Sequence, residues 1–521
     1  MTIDPVHYAR RWKTLAVLTL SLVIIGLDNT VLNVALPSLQ EEFDASASTL
    51  QWIVDAYLLV FAGLLLTAGT LGDRFGRKHA LQGGLVLFGG ASLAALVVDT
   101  SGQLIAVRAA MGLGGALIMP ATLSIISNVF PREERGKAIG IWAGMASIGI
   151  GLGPLCGGLL LEYFDWSSVF LLNVPVAAAA FLLGIRLVPQ SRDPHPGAFD
   201  LVGAGLSVSA LVALVYPIIE APERGWTDPR ILGCFGLAAV LGWAFVRWEL
   251  RTADPMLNLN FLRNPRFSVA SLSVSLASFS LFGAIFAMTQ YLQDAHGYSA
   301  LEAGAAMSPL ALGLVAGAVS SVKLVERLGT TRVITAGLVG VGALLTATLA
   351  WTPDLAYLPI GLWFVAAAGA MGWIMGPATD SVMGSLPEAK AGVGSAMNDV
   401  TRQVGGALGT AVIGSLISSL YASRIAEAVA GLPDSAQAAA QDSIGQANAV
   451  AATLPAADGA RLADAAAGAF TDALGIGFTV AAAFALLAAI VAKRWLPAAH
   501  RERPAEVVEL HPAPVDERRA A

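Results

Sequence analysis

Residues 50–97 read LQWIVDAYLLVFAGLLLTAGTLGDRFGRKHALQGGLVLFGGASLAALV. Two apolar runs of about 20 residues, each long enough to cross a ~30 Å hydrocarbon core as helix, flank a loop that gathers Asp73, Arg74, Arg77 and Lys78. Charge confined to the turn between two such runs is the pattern of a helical hairpin in a bilayer, where backbone polar groups must be satisfied within the helix. The same alternation continues in both directions from this stretch. Of 521 residues, 56% are hydrophobic and 13% are Asp, Glu, Lys or Arg, about half the charge of a soluble chain. Mean hydropathy is +0.68. These values exclude soluble multidomain, disordered, collagen-like and coiled-coil chains. Cys156 and Cys234 lie inside apolar runs, which excludes a secreted disulfide scaffold.

Apolar runs and their breaks predict fourteen helices, at 14–36, 50–70, 80–98, 103–125, 138–161, 168–188, 200–218, 230–247, 268–291, 303–322, 333–351, 356–379, 395–420 and 474–493. The expected fold is an all-α polytopic membrane protein. Arg10, Arg11 and Lys13 precede the first run as in a signal peptide, but that run passes Asp28 and reaches Pro37 without a small-residue cleavage site, so a retained first helix is expected. With the N-terminus placed inside, Arg224, Arg230, Arg424 and Arg461 fall outside and Arg108 falls within a span, leaving 26 of the 31 Lys and Arg inside. That bias predicts cytoplasmic N- and C-termini.

The loop after the second run carries Asp73-Arg74-Phe75-Gly76, and that after the tenth carries Glu326-Arg327-Leu328-Gly329. An acid-Arg-apolar-Gly turn at equivalent places predicts two repeated six-helix bundles. The expected division is 1–190 for the first bundle, 191–265 for an inserted pair (spans 7 and 8), 266–496 for the second bundle, and 497–521 for a disordered cytoplasmic tail. The second bundle includes an outer segment, 421–473, rich in Ala, Asp, Gln and Ser, with the composition of short amphipathic helices.

Asp28, Asp55 and Arg108 fall well inside spans, where a bare charge costs several kcal/mol and must face the bundle interior. At about 1.5 Å per residue, each lies about 8 or 9 Å below the outer face, so the three are expected to form one site. Arg108 can neutralise one carboxylate and leave the other short of a partner, and either a proton or an organic cation can discharge that one. Mutual exclusion there is a recipe for exchange. The competing reading is a structural ion pair plus one satisfied Asp. The six histidines sit in loops or tails, so proton handling falls to carboxylates. Near the inner ends of spans 12 and 13 lie Asp380, Asp399 and Arg402. Asp399 and Arg402 stand at i, i+3, which fits a boundary ion pair as well as a second protonation site.

Span 5 contains Gly149-Ile150-Gly151-Leu152-Gly153-Pro154-Leu155-Cys156-Gly157-Gly158, in which glycines permit close helix approach and Pro154 removes a backbone hydrogen bond. With the loop Gly69-Thr70-Leu71-Gly72-Asp73-Arg74-Phe75-Gly76-Arg77-Lys78, the stretch Leu27-Asp28-Asn29-Thr30-Val31-Leu32-Asn33-Val34-Ala35-Leu36-Pro37, and Arg108 followed by Gly112, Gly114 and Gly115, it carries a resemblance. The chain resembles the major facilitator superfamily, in its 14-helix drug:proton antiporter branch. That resemblance implies two six-helix bundles plus a two-helix hairpin in the bacterial cell (inner) membrane. It implies that Asp28 and Arg108 couple protons, that Gly69, Asp73, Arg74, Gly76, Arg77 and Lys78 form a conformational latch, and that Gly149, Gly153, Pro154, Gly157 and Gly158 suppress leak. Trp52-Ile53-Val54-Asp55-Ala56-Tyr57 is similar to the quaternary-ammonium and dye exporters, which implies that Asp55, with Asp28, Trp52 and Tyr57, meets a cationic substrate. Met111 stands where the family often has Gln. In span 13 Asp399 matches one of two acids found in those exporters, and Gln403 replaces the other.

Function is therefore expected to be proton-coupled export of amphipathic, cationic drugs, dyes or antibiotics by a monomer, with the proton gradient in place of any cofactor or metal and with no nucleic-acid partner. The alternative is export of one endogenous antibiotic or metabolite. An uptake symporter conflicts with the span 5 motif. A membrane enzyme would need a catalytic set, and the sequence has no His-Glu-x-x-His, Gly-x-Ser-x-Gly or phosphate-binding Gly-x-x-x-x-Gly-Lys-Ser/Thr.

Overall fold

A computed structural model describes residues 5–192, 200–252, 255–257, 259–385 and 391–496. The tail assigned to 497–521 lies outside the described residues. Among the described residues, fourteen helices are long and apolar enough to cross a membrane. They are Tyr8–Val34, Ala47–Phe75, Arg77–Val97, Ser101–Val129, Lys137–Tyr163, Ser168–Leu187, Leu201–Arg224, Pro229–Glu249, Pro265–Ala295, Ala300–Leu328, Thr330–Ala350, Tyr357–Met383, Ala396–Val429 and Ala456–Trp495, here spans 1 to 14. An even number returns the chain to the face it started from. That face is called here the termini-side face, and the opposite one the far face.

Two apolar cores organise these spans. One joins Leu15 through Ile219, and the other joins Phe267 through Leu496. Phe282 and Phe286 of span 9 and Ala407 and Ala411 of span 13 pack into the first core, so the two bundles meet along spans 2, 9 and 13, and they meet again where span 5 packs on span 10. Span 8 packs on span 7 and otherwise exposes Leu232, Leu237, Val240, Trp243 and Val246, as expected where hydrocarbon is the solvent. The repeat read from the loop sequences has a conformational counterpart. Gly76 closes span 2 and opens span 3 at φ +114°, and Gly329 closes span 10 and opens span 11 at φ +86°. Each N–H returns at 2.9 Å to the carbonyl four residues back, of Gly72 or Val325. Backbone in this region strongly favours glycine, which is why the turn ends on that residue in both halves.

Two elements run longer than their hydropathy. Span 13 continues to Val429, and span 14 begins at Ala456, eighteen residues before the apolar run expected at 474. Between them, Asp434–Asp442 and Ile444–Thr453 form two short helices. Alanine is a strong helix former whatever its hydropathy, so this extension was invisible to an apolar-run criterion.

All of the side-chain hydrogen bonds described between the two halves of the chain at the bundle ends lie at the far face. Gln40 Nε2 donates to Ser443 Oγ at 2.5 Å, the Ala47 N–H to Asp442 Oδ2 at 3.1 Å, Gln446 Nε2 to Asp44 Oδ1 at 3.0 Å, and Gln293 Nε2 to the Val34 carbonyl at 2.9 Å. Deeper in, Ser415 Oγ donates to the Ile218 carbonyl at 2.6 Å and lies 3.2 Å from the Gln51 side-chain amide. The molecule is closed at its far face.

Candidate functional site

The three charges expected in one layer do lie at similar depth. Asp28 stands six residues before Val34, Asp55 eight after Ala47 and Arg108 seven after Ser101. Asp28 and Arg108 are 1% and 2% exposed, and Arg108 Nη1 donates to Asp28 Oδ2 at 2.6 Å. Asp28 Oδ1 accepts from Asn173 Nδ2 of span 6 at 3.0 Å, and Ser92 of span 3 lies 3.5 Å from the same amide. Arg108 Nε donates to the Ile53 carbonyl of span 2 at 3.1 Å, and its guanidinium sits 4.5 Å over the Tyr57 ring. Met111 Sδ, where the family often has Gln, lies 3.9 Å from Nη1. Five spans thus converge on one buried ion pair, whose mutual attraction and added hydrogen bonds offset the cost of taking both charges out of water.

Asp55 does not join that cluster, which corrects the expectation of a single trio. Its side chain is fully buried, and neither carboxylate oxygen has a hydrogen-bond partner among the described residues. The reason is helical phase. Residues 53 and 57 turn toward Arg108, and 55 lies about 200° round from either. It sits one turn along from Gln51, on the face that meets Ser415 and Gly414 of span 13. Two acids expected in one site therefore occupy two environments, one compensated by Arg108 and one without a hydrogen-bond partner among the described residues.

The aromatic candidates are committed elsewhere. Tyr57 is buried under Arg108 and packs edge-on to Phe61 at 5.6 Å and Phe88 at 6.5 Å. Trp52 donates its indole N–H to Glu220 of span 7 at 3.2 Å and lies 6.0 Å from Tyr216. Each ring is thus held by partners other than Asp55.

Asp399 is 5% exposed and accepts from Arg402 Nη2 at 2.6 Å. Beside it Gln403 is buried with Oε1 unpartnered, and Asn398 Oδ1 accepts from Thr379 of span 12 at 3.2 Å. Asp380 is exposed.

The loop signature packs within the first half of the chain. Asp73 Oδ1 accepts from Arg77 Nε at 2.7 Å, Lys78 Nζ donates to the Ile185 carbonyl at 2.8 Å, and the Arg77 N–H to the Ser191 carbonyl at 2.9 Å. Arg74 lies 5.8 Å from the Phe75 ring, and Gly69 faces Pro120 of span 4. A side chain at Gly76 would strike Gln190.

Span 5 presents two glycine stripes. A Cβ at Gly149, Gly153 or Gly157 would come within 2.8–2.9 Å of the carbonyl oxygens of Val23, Leu27 and Val31, so steps of four on span 5 match steps of four on span 1. On the other side, Gly151 abuts Ala311, Gly158 abuts Ala300 and Leu301, and Gly304 abuts Pro154, all of span 10 in the second bundle. Pro154 cannot donate to the Ile150 carbonyl, and Thr30 Oγ1 of span 1 takes that acceptor at 2.9 Å. A Cβ at Gly153 would collide with that same hydroxyl. The motif therefore seals the far half of span 5 to both bundles.

Asn173, Ser92 and Thr30 were not anticipated as site residues. Asn173 carried a signal, a polar residue in an otherwise apolar run from 169 to 185.

A model of the Major Facilitator Superfamily matches residues 18–410. The chain is 38% identical to the multidrug efflux pump LfrA of Mycolicibacterium smegmatis, over 92% of this chain and 95% of that one. It is 35% identical to the tetracenomycin C resistance and export protein of Streptomyces glaucescens, over 93% and 91%, and 35% to the methyl viologen resistance protein SmvA of Salmonella typhimurium, over 92% and 97%. In fold it is similar to a bacterial homolog of the human lysosomal transporter Spinster (TM-score 0.63, 19% identity, 94% and 99% covered) and to the xylose transporter XylE from E. coli (TM-score 0.59, 14% identity, 94% and 99% covered).

Proposed function

Because this chain belongs to the Major Facilitator Superfamily, a family of membrane transporters and not enzymes, we propose that it exports amphipathic organic cations in exchange for protons, by alternating access of its two bundles. It is a multi-pass protein of the bacterial cell (inner) membrane, its relatives are efflux and resistance proteins, and its role is that of an exporter of small molecules. The finer reading rests on one observation: Asp28 is neutralised by Arg108, whereas Asp55 is buried bare on the face toward the second bundle.

A carboxylate in that position is costly to keep charged, and either a proton or a substrate cation relieves it. Occupancy by one excludes the other, so inward proton movement drives outward substrate movement. In this reading Asp55 meets the cation. Asp28 takes the coupling proton, which releases Arg108 from its partner and changes the field across span 2, to whose Ile53 carbonyl Arg108 is tied. Asp399, paired with Arg402, serves as a second protonation site. The Gly69–Lys78 loop latches the bundles when the far face opens, and the span 5 glycines hold the far face shut against leak. The bundles are 1–190 and 266–496, joined by the hairpin within 191–265, with both termini cytoplasmic and the monomer as the working unit. The proton gradient supplies the energy, and no resident cofactor is needed.

The test is transport of ethidium by the purified protein in liposomes with an imposed pH difference. Ethidium movement should follow the gradient and cease when an uncoupler collapses it. Movement indifferent to the gradient would overturn the coupling.

A further inference from the structure

A second pair of acids lies at the termini-side end of the inserted hairpin, far from Asp28 and Asp55. Asp200 caps span 7, where its Oδ1 accepts from the Gly203 N–H at 2.7 Å and from the Trp248 indole at 2.8 Å. Glu249 ends span 8, is 3% exposed, and its Oε2 accepts from the Leu257 N–H at 2.7 Å. The other oxygen of each carboxylate, Asp200 Oδ2 and Glu249 Oε1, is buried without a donor. A side-chain carbon at Gly203 would collide with both of these oxygens, so they converge on the space that glycine leaves, within reach of a hydrogen bond between the two carboxyl groups.

Two bare, facing carboxylate oxygens repel unless something positive lies between them. One proton satisfies both, because the protonated oxygen donates and the other accepts. A divalent metal would want six or more oxygens, and here two are free. Among the described residues no set of three His, Cys, Asp or Glu gathers around a possible metal position. Among the described residues no ion pair reaches either carboxylate. Span 7 presents a backbone N–H, span 8 an indole, and the connector the Leu257 N–H, while Arg247 lies 5.9 Å over Trp243 instead. Asp254 lies outside the described residues.

We propose that Asp200 and Glu249 share one proton and form a proton-binding clasp at the termini-side mouth of the hairpin. Loss of that proton as pH rises leaves two adjacent negative charges, which part the ends of spans 7 and 8. The clasp also holds the connector into the second bundle, since Glu249 binds Leu257 and the neighbouring Met256 Sδ accepts from Thr67 of span 2 at 3.2 Å. It therefore links pH on this face to the segment that joins the two halves. The inference is independent of the transport reading.

The experiment uses the full chain in nanodiscs, with Cys156 and Cys234 replaced by alanine and spin labels at Leu201→Cys and Arg251→Cys, both exposed positions. The distance between labels is measured from about pH 5 to about pH 9, a range that brackets displaced carboxyl titrations. The wild-type pair should lengthen in a single step as pH rises. Glu249→Gln, whose amide donates in place of the shared proton, should stay short throughout, and Asp200→Asn provides the same test should that variant fail to fold. A pH-independent wild-type distance, a step that survives in both amide variants, or a distance set by millimolar Mg2+ or Ca2+ at fixed pH would overturn the proposal.

Discussion

Arg108 is the residue on which the first bundle's polar interior depends, since it bonds Asp28, a span 2 carbonyl and the face of Tyr57 at once. Asp28→Asn strands that guanidinium, and removing one partner of a buried pair costs about 3–5 kcal/mol. Its thermal midpoint should fall and gradient-driven ethidium efflux should disappear. The double variant Asp28→Asn/Arg108→Gln should recover much of the midpoint while remaining uncoupled, which separates folding from coupling, and restored efflux in that double variant would refute a coupling role for Asp28. Asp55→Asn removes a charge that no described residue compensates, so folding should be spared. Export of divalent organic cations should drop more than that of monovalent ones, and equal loss in paired resistance assays would remove Asp55 from recognition. Its presence in a span was legible in the sequence. That it stands apart from Arg108 was not, because depth follows from counting residues whereas facing follows from the phase of a packed helix.

Span 5 illustrates how an element is specified twice. Its inner stripe, Gly149, Gly153 and Gly157, admits span 1, and Pro154 frees a carbonyl that Thr30 occupies. Thr30→Val keeps the shape and removes the donor, leaving Ile150 with an unmet buried carbonyl worth about 1–3 kcal/mol. The thermal midpoint should fall accordingly, and an unchanged midpoint would show that another group serves that carbonyl. The outer stripe behaves differently. Gly158→Leu intrudes on Ala300 and Leu301 across the bundle interface, so the far face should be pushed open while each bundle stays folded. Labelling of Ser48→Cys by a membrane-impermeant maleimide should then rise severalfold over the parent. The glycine spacing was readable in advance, but the assignment of one stripe to span 1 and the other to span 10 required both neighbours.

At the scale of the whole molecule, the far-face seal joins the extension between spans 13 and 14 to the first bundle. Asp442 lies in that seal, outside the spans, where burial pushes its carboxyl from the ordinary range up to about 6, with Glu223 and Asp44 nearby adding to the shift. A raised value means the sealed state binds the proton more tightly than the open one. The seal's stability is thus fully present at low pH and declines as pH rises through about 6. Maleimide labelling of Ser48→Cys, normalised to the denatured protein at each pH, should accelerate above that point, and Asp442→Asn should flatten the response. A pH-independent rate in the parent would remove Asp442 from the seal's energetics.

Hydropathy, charge placement and glycine spacing sufficed to specify fourteen membrane helices and two repeated bundles, because a bilayer penalises every unsatisfied backbone group and every misplaced charge along the chain itself. Gly76 and Gly329 were legible for the same local reason. The partners of each buried acid were decided by tertiary structure. Asp28 found Asn173 from 145 residues away, Asp55 was left without a hydrogen-bond partner among the described residues, and Asp200 met Glu249 across a glycine. Those meetings depend on the rotation and register of helices packed against one another, quantities a linear pattern does not carry.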